Sequence, residues 1–289
     1  VKKIEPFEVI FENENIIAVN KVSGIAVCAD RWDDSKERLD RLVGALPGAG
    51  KIFIIHRIDR DTSGLVVFAK NSDTHKKLSA AFEGRKIVKR YLAVIRGRPA
   101  WKETVCDLPL VPDGNKKHLT IIDKYQGKKS LTRFRLLCTA GNYSIVEAIP
   151  ETGRTHQIRV HLASMGHSVV CDEFYGNTKP LFLSAIKSGW RGNPAEERPL
   201  LARLGLHAAE LLIPDFFAAA ASAPADMTPA GAVAAAETAA PADTAAGIAA
   251  GRDLLLRAPV PRDMAALINQ MEKCSGVSFN DSLFGGAVS

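Results

Sequence analysis

His56-Arg57-Ile58-Asp59-Arg60-Asp61-Thr62-Ser63-Gly64 is the stretch on which the reading of this chain turns. It joins two apolar runs. Lys51 to Ile55 reads as a short strand, and Leu65 to Ala69 as a buried strand. Between them stand two carboxylates, two arginines, a His, a Thr and a Ser. Strands on both sides pin the ends of the loop, and a polar loop held by rigid elements is a common way to build a site. Thr62-Ser63-Gly64 can close a tight turn through side-chain to backbone bonds and so hold Asp59 in one orientation. On residue types alone, both a functional loop and a structural turn remain open.

Outward from the loop, the chain reads as strands with a few helices between them. Phe7 to Phe11 and Ile16 to Asn20 alternate as strands, split by Glu12-Asn13-Glu14-Asn15. Leu39, Leu42, Val43 and Leu46 recur at spacings of three and four, which predicts a helix from Asp34 to Leu46, ended by Gly48 and Gly50. Thr74 to Phe82 reads as a helix; Val88 to Gly97, Leu131 to Thr139 and Tyr143 to Ile149 read as strands. A helix follows from about Thr155 to Met165, with Thr155 as its candidate cap, and a strand from Leu206 to Ile213. This order points to an α+β domain.

The composition sets bounds. The chain has 289 residues, 46% hydrophobic, enough for one large domain or two subdomains. No run of about 18 apolar residues predicts a membrane span. The N-terminus lacks an apolar signal region and a starting Met, and a cytoplasmic protein is expected. The five cysteines include no CxxC pair, which argues for reduced thiols and against a zinc site. The net charge of +6 is uneven. Up to Phe216 there are 34 Lys and Arg against 25 Asp and Glu, and beyond it 4 against 7. A basic body suits a polyanionic partner, although a mild cationic excess is also ordinary solvated surface. Ala218 to Ala250 holds 18 alanines in 33 residues, broken by prolines. With little to bury, residues 217–252 read as a disordered low-complexity insertion. The organisation expected is then a catalytic domain over residues 1–216, this insertion, and a segment 253–289 with a closing helix at Pro261 to Met271 and a flexible tail.

The central loop resembles the HRLDxxTSGL motif of the RluA-type RNA pseudouridine synthases at every specified position, with Ile58 in place of Leu. Three further motifs of that family follow in order. Lys89-Arg90-Tyr91-Leu92-Ala93-Val94 is similar to KxYxAxV. Thr152-Gly153-Arg154-Thr155-His156-Gln157-Ile158-Arg159-Val160-His161 is similar to TGRxHQIRxH. Leu206-His207-Ala208-Ala209-Glu210-Leu211 is similar to LHAxxL. Ala18-Val19-Asn20-Lys21-Val22-Ser23-Gly24 resembles VNKPxG, with Val22 where Pro is usual. Ala258-Pro259-Val260-Pro261-Arg262-Asp263 resembles the closing APLPxD. The alanine-rich stretch before it departs from the family pattern.

The resemblance implies a pseudouridine synthase fold: a mixed, mostly antiparallel sheet in two subdomains with a catalytic cleft between them. It implies an isomerase that turns uridine in RNA into pseudouridine. Asp59 would be the nucleophile, Tyr91 the aromatic face for the flipped base, and Arg159 the counter-charge that holds Asp59 ionised. Read alone, without the motifs, Tyr91 reads as a core strand residue and Arg159 as a solvated charge. His56, Arg57, Lys89, Arg90 and Arg154 are the candidate RNA contacts. His207 is expected to be structural, lining the cleft floor. No cofactor, metal or obligate protein partner is implied, and a monomer is expected. The RNA is expected to be large-subunit ribosomal RNA, with transfer RNA second. An inactive RNA-binding member of the fold and a different aspartate-nucleophile hydrolase are the competing readings.

Overall fold

The computed structural model describes residues 5–29, 37–114, 119–217, 247–250 and 253–276. The alternating runs become strands. β1 (Phe7–Glu12) and β2 (Ile16–Lys21) pair antiparallel, and β2 lies antiparallel on β4 (Ser63–Ala69). β4 is buried along its whole length. The reason is in its residues: Leu65 and Val67 fill one core cluster and Val66 and Phe68 another, so both faces of the strand are covered. β3 (Phe53–Ile54) takes part of the remaining edge of β4.

Beyond β4 the sheet continues through β11 (Leu206–Ile213), β5 (Val88–Arg96), β10 (Tyr143–Pro150), β9 (Thr132–Ala140) and β6 (Glu103–Cys106). Every pairing of this sheet is antiparallel except β4 with β11, which meet in parallel at Ser63↔His207 and Gly64↔Ala208. The sheet forks at β11. The early residues of β11 pair with β4, while Glu210 to Ile213 pair with β13 (Asp253–Arg257). A separate two-stranded ribbon joins β7 (Leu110–Val111) to β8 (Ile121–Ile122). The alternation signal did not reveal β6, β7 or β8.

The helices cover the sheet. α2 (Ser72–Glu83) is capped by Asn71, whose side chain accepts from Thr74 N–H at 2.8 Å. α3 (Gln157–Ser164) packs Ile158 and Leu162 against Ala93, Ile95, Val146 and Ala148 of the sheet, with Met165 beside them. Each such aliphatic side chain contributes about 1.5–3 kcal/mol on burial. α4 (Arg262–Ser275) buries Met264, Leu267 and Met271 on the opposite face, beside Leu92 and Val94. Tyr91 packs against the α3 cluster and also against the cluster that contains β2, β4 and α1 (Leu39–Gly44), so it stands at the seam between the two halves.

Three expectations are corrected. The first helix begins at Leu39, not Asp34; residues 30–36 lie outside the described set. Arg38 is extended and bridges Ala26, and the N–H groups of Leu39 and Asp40 donate to Ala26 and Val27, so the chain before Leu39 is committed to a strand-like contact. Thr155 does not cap α3. His156 occupies that position in the left-handed region, and the Gln157 side chain accepts from Arg154 N–H instead. Of the alanine-rich stretch, residues 218–246 and 251–252 lie outside the described residues. Its Gly247–Ala250 part forms β12, paired to β13, because the outer edge of β13 would otherwise present unpaired backbone groups.

Candidate active site

Asp59 lies in the connection between β3 and β4, and the backbone of that connection is tied down at several points. The Lys21 ammonium is buried beneath it and donates to Arg60 O at 2.8 Å and Val22 O at 2.9 Å. Burial lowers the Lys21 pKa to about 7, against the opposing pull of Asp61 and Asp59. Gly24 N–H donates to Arg60 O at 2.9 Å, and Ser23 Oγ donates to Asp61 O at 2.7 Å. On the far side, Ser63 Oγ lies 3.0 Å from Nδ1 of the fully buried His207. Gly64 has φ +113°, and a Cβ there would collide with the Ala208 carbonyl in β11. The parallel contact of β4 and β11 therefore needs glycine at this position.

The Asp59 carboxylate emerges from this frame into a cleft of about 520 Å³, within the size range of small-molecule pockets. It is 24% exposed, and Oδ2 accepts from Arg159 Nη1 at 3.2 Å. Arg159 projects from α3 and is 3% exposed. The loop after the helix holds it. Asp172, with a fully buried side chain, accepts from Arg159 Nε and Nη2 at 2.8 Å each. The Arg159 guanidinium also lies over the rings of Phe174 and Tyr175, at 5.2 and 5.3 Å from their centroids. Burial works against the Arg159 charge, but the hydrogen bonds and charge of Asp172, then those of Asp59, outweigh it and push its pKa up. Burial likewise opposes the Asp172 charge. Arg159 and the N–H groups of Tyr175 and Phe174 overcome it and hold the carboxyl below its usual range.

Tyr91 lines the same cleft. Burial, then the negative charge of Asp59, pushes its phenol pKa well above the ordinary value. His156 completes this wall, with Nε2 at 3.9 Å from Asp59 Oδ2. Three segments distant in sequence thus bring Asp59, Tyr91 and Arg159 to one cleft.

Residues 15–164, just over half of the chain, match the family described as RNA pseudouridylate synthase. The chain belongs to the RNA pseudouridylate synthase family. Members of that family are isomerases acting on RNA, and the relatives place this chain among the RluA-type synthases. It is 38% identical over 191 residues to the ribosomal large subunit pseudouridine synthase D of Zymomonas mobilis, a match covering 63% of this chain and 60% of that one. It is 34% identical over 210 residues to the dual-specificity RNA pseudouridine synthase RluA of Vibrio vulnificus, covering 71% and 76%. Among solved structures, human RNA pseudouridylate synthase domain containing 4 superposes with a TM-score of 0.61 at 21% identity, over 91% of this chain and 92% of that one. Human RNA pseudouridylate synthase domain containing 1 gives 0.55 at 28% identity, over 72% and 78%.

The five candidate RNA contacts of this synthase fall in different places. Arg57, Lys89 and Arg154 line the cleft, where the unforeseen Arg85 joins them. Arg57 is exposed, and the Arg154 side chain donates to Lys129 O at 3.3 Å. His56 lines the cleft too, but as a neutral group. Its ring stacks on Phe82 with centroids 4.7 Å apart, its Nε2 accepts from Val67 N–H at 3.0 Å, and burial lowers its pKa to about 3. It serves the architecture of the loop and carries no charge for a phosphate.

Arg90 is not in the cleft. Successive side chains on β5 point to opposite faces, so Lys89 and Tyr91 share one and Arg90 takes the other. There it pairs with Glu147 and Glu210, each at 3.0 Å, within a chain of alternating charges that runs from Arg135 to Arg257. Asp172, Phe174, Tyr175 and Lys21 were not foreseen as site residues. The available signal for the first three was a carboxylate and two aromatics within four residues after an apolar pair, Val169-Val170. Among the described residues, no group of three or more His, Cys, Asp or Glu side chains could hold a metal ion. None of the described helices is long and apolar enough to cross a membrane. All five cysteines are free thiols.

Proposed function

We propose that Asp59 is the nucleophile of a uridine-to-pseudouridine isomerisation, with large-subunit ribosomal RNA as the first-choice substrate and transfer RNA the second. The observation that carries this reading is the 3.2 Å ion pair between Asp59 and Arg159 beside Tyr91 in one cleft. The guanidinium fixes the direction of the carboxylate and gives it a counter-charge, as a covalent role would need. The reaction breaks the N1–C1′ bond, turns the base and rejoins it through C5. The uridine must first leave its stack, and an aromatic face is the natural platform for it. Tyr91 supplies that face. As a protonated phenol it also offers an O–H donor.

Arg57, Arg85, Lys89 and Arg154 surround the cleft with positive charge suited to phosphates on either side of the flipped nucleotide. Lys89 has no ion-pair partner among the described residues, so its donors are available to RNA. The name of the Zymomonas relative favours a ribosomal substrate, and the dual specificity in the name of the Vibrio relative keeps a second RNA class in view.

The test has two parts. D59N and D59A are expected to abolish pseudouridine formation while fold and RNA affinity are kept; turnover at the wild-type rate would refute the assignment of the nucleophile. Mapping the pseudouridines that vanish from cellular RNA when the gene is removed identifies the substrate. Loss confined to RNA other than ribosomal RNA would refute the first choice.

A further inference from the structure

His156 is one of five non-glycine residues with positive φ among the described residues, at φ 53° and ψ 18°, and it directly precedes α3. That conformation costs on the order of 1–2 kcal/mol and persists only where the surroundings over-determine it. Here they do. The imidazole stacks on Phe174 with centroids 5.6 Å apart, meets Tyr175 edge-on, and places Nδ1 2.9 Å from Tyr175 Oη. Its other nitrogen, Nε2, faces Asp59 Oδ2 at 3.9 Å.

We propose that His156 is a positioning residue for Asp59: a neutral imidazole locked by Tyr175 with its proton on Nε2, which it aims at Oδ2 so that Oδ1 is the oxygen left to attack. The inference rests on the reading of Asp59 as nucleophile.

The tautomer follows from counting donors. Tyr175 Oη accepts the Thr120 N–H at 3.0 Å. The Thr120 hydroxyl interacts with Tyr175 as well, but not with good hydrogen-bond geometry, so Nδ1 of His156 at 2.9 Å is the better-placed acceptor for the phenol proton. The proton of Tyr175 therefore goes to His156 Nδ1, which must be an acceptor. Burial keeps Tyr175 protonated and keeps His156 neutral, so each group has the proton count this pattern needs. Electrostatics gives the same answer. A lone pair on Nε2 would face a carboxylate oxygen and repel it, whereas an N–H attracts it. At 3.9 Å the contact is longer than a hydrogen bond in the free enzyme, and such contacts commonly tighten when substrate enters. Arg159 and His156 then both address Oδ2, and Oδ1 accepts no hydrogen bond among the described residues. One loop serves both donors, since Asp172 anchors Arg159 and Tyr175 anchors His156.

The deciding experiment is ¹⁵N NMR of the whole, histidine-labelled protein without RNA at neutral pH, with His156 assigned from its loss in H156Q. The expected spectrum shows a pyridine-type Nδ1 and a pyrrole-type Nε2. The opposite pattern, or an imidazolium, overturns the proposal. In Y175F the two nitrogens are expected to shift toward each other; unchanged signals overturn the lock. Kinetics on ribosomal RNA from cells lacking the gene gives a second readout. H156N and H156A are expected to lower kcat by about 10²-fold with KM unchanged. H156Q, whose amide N–H lies near the position of Nε2, is expected to restore most of that loss. Wild-type kcat in H156A overturns the positioning role. The NMR result is independent of any RNA, so its failure is distinct from a failure of Asp59 as nucleophile, which D59A reports.

Discussion

Replacing Asp172 by Ala separates the group that anchors the arginine from the group that the arginine serves. Asp172 accepts four hydrogen bonds in the interior: Nε and Nη2 of Arg159 at 2.8 Å, Phe174 N–H at 2.9 Å and Tyr175 N–H at 3.0 Å. Removing it leaves a 3% exposed guanidinium with one 3.2 Å bond to Asp59. Breaking a buried pair by deleting one partner costs about 3–5 kcal/mol. Asp59 still offsets part of the stranded charge, so the expected loss for D172A is the lower figure, about 3 kcal/mol. For a chain of this size that is a fall in Tm of about 6–12 °C. D59A leaves Arg159 doubly bonded to Asp172 and is expected to cost about 1 kcal/mol or less.

The two variants should therefore rank in opposite order by two measurements. Thermal or urea unfolding should show D172A as the damaged protein, and turnover should show D59A as the dead one. In D172A, the freed guanidinium can swing onto Asp59, and kcat is expected to fall by about 10²-fold. The pH dependence carries a sign. The Asp172 carboxyl is held below its usual range in the fold, so its contribution is complete above the ordinary carboxylate pKa of about 3.9 and is lost as the pH falls through and below it. D172A lacks that acid limb. If D172A unfolds within about 1 kcal/mol of the wild type, or D59A proves the less stable of the two, the anchoring argument is wrong.

Other changes test other parts of the structure. G64A places a Cβ into the Ala208 carbonyl at a φ of +113°, and about 3 kcal/mol or more of stability should disappear, measured by thermal unfolding. R90Q should lower stability by about 1 kcal/mol and leave RNA affinity unchanged, because Arg90 faces Glu147 and Glu210 rather than the cleft. K89Q should weaken RNA binding and reduce the salt slope by about 1, read from titrations at several salt concentrations. His207 is buried and its pKa is lowered to about 4, so the unfolded chain takes up its proton first as pH falls; about 3 kcal/mol should drain away between about pH 6.5 and 4, and H207Q should flatten that part of the stability curve.

The strands of the sheet were legible because alternation and apolar runs report burial directly, as in β2, β4 and β10. The start of α1 was not. The periodic Leu39, Leu42 and Val43 mark a helix face, but a backbone contact between Ala26 and Arg38 decides where the helix begins, and that contact is tertiary. Asp59, Tyr91 and Arg159 were legible through motifs, whereas their meeting across 100 residues of chain was an expectation only geometry could report. The parity of β5 was available in the sequence: positions two apart share a face, so Lys89 goes with Tyr91 and Arg90 cannot. Asp172, Phe174 and Tyr175 lie in an aperiodic loop; their clustering after Val169-Val170 is the only local mark, and the contacts that give them a role, to Arg159 and His156, are made across the fold.

On the proposed reading of Asp59 as nucleophile, the same loop lets a buried arginine serve that carboxylate without disarming it. An isolated Asp59–Arg159 pair would put one full cation against one full anion, and a tightly neutralised carboxylate is a poorer nucleophile. A carboxylate in the cleft with no partner would have nothing to fix its direction. The structure lies between these limits. Arg159 gives two short bonds to Asp172 and one longer bond to Asp59, so most of its charge is already answered before Asp59 is counted. Asp59 receives a fixed direction and a partial counter-charge, applied at one oxygen. The net charge of the three groups is negative by one, and Asp59 is the exposed member of the three. The triad is arranged so that the surplus charge lies on Asp59, the carboxylate that faces the cleft.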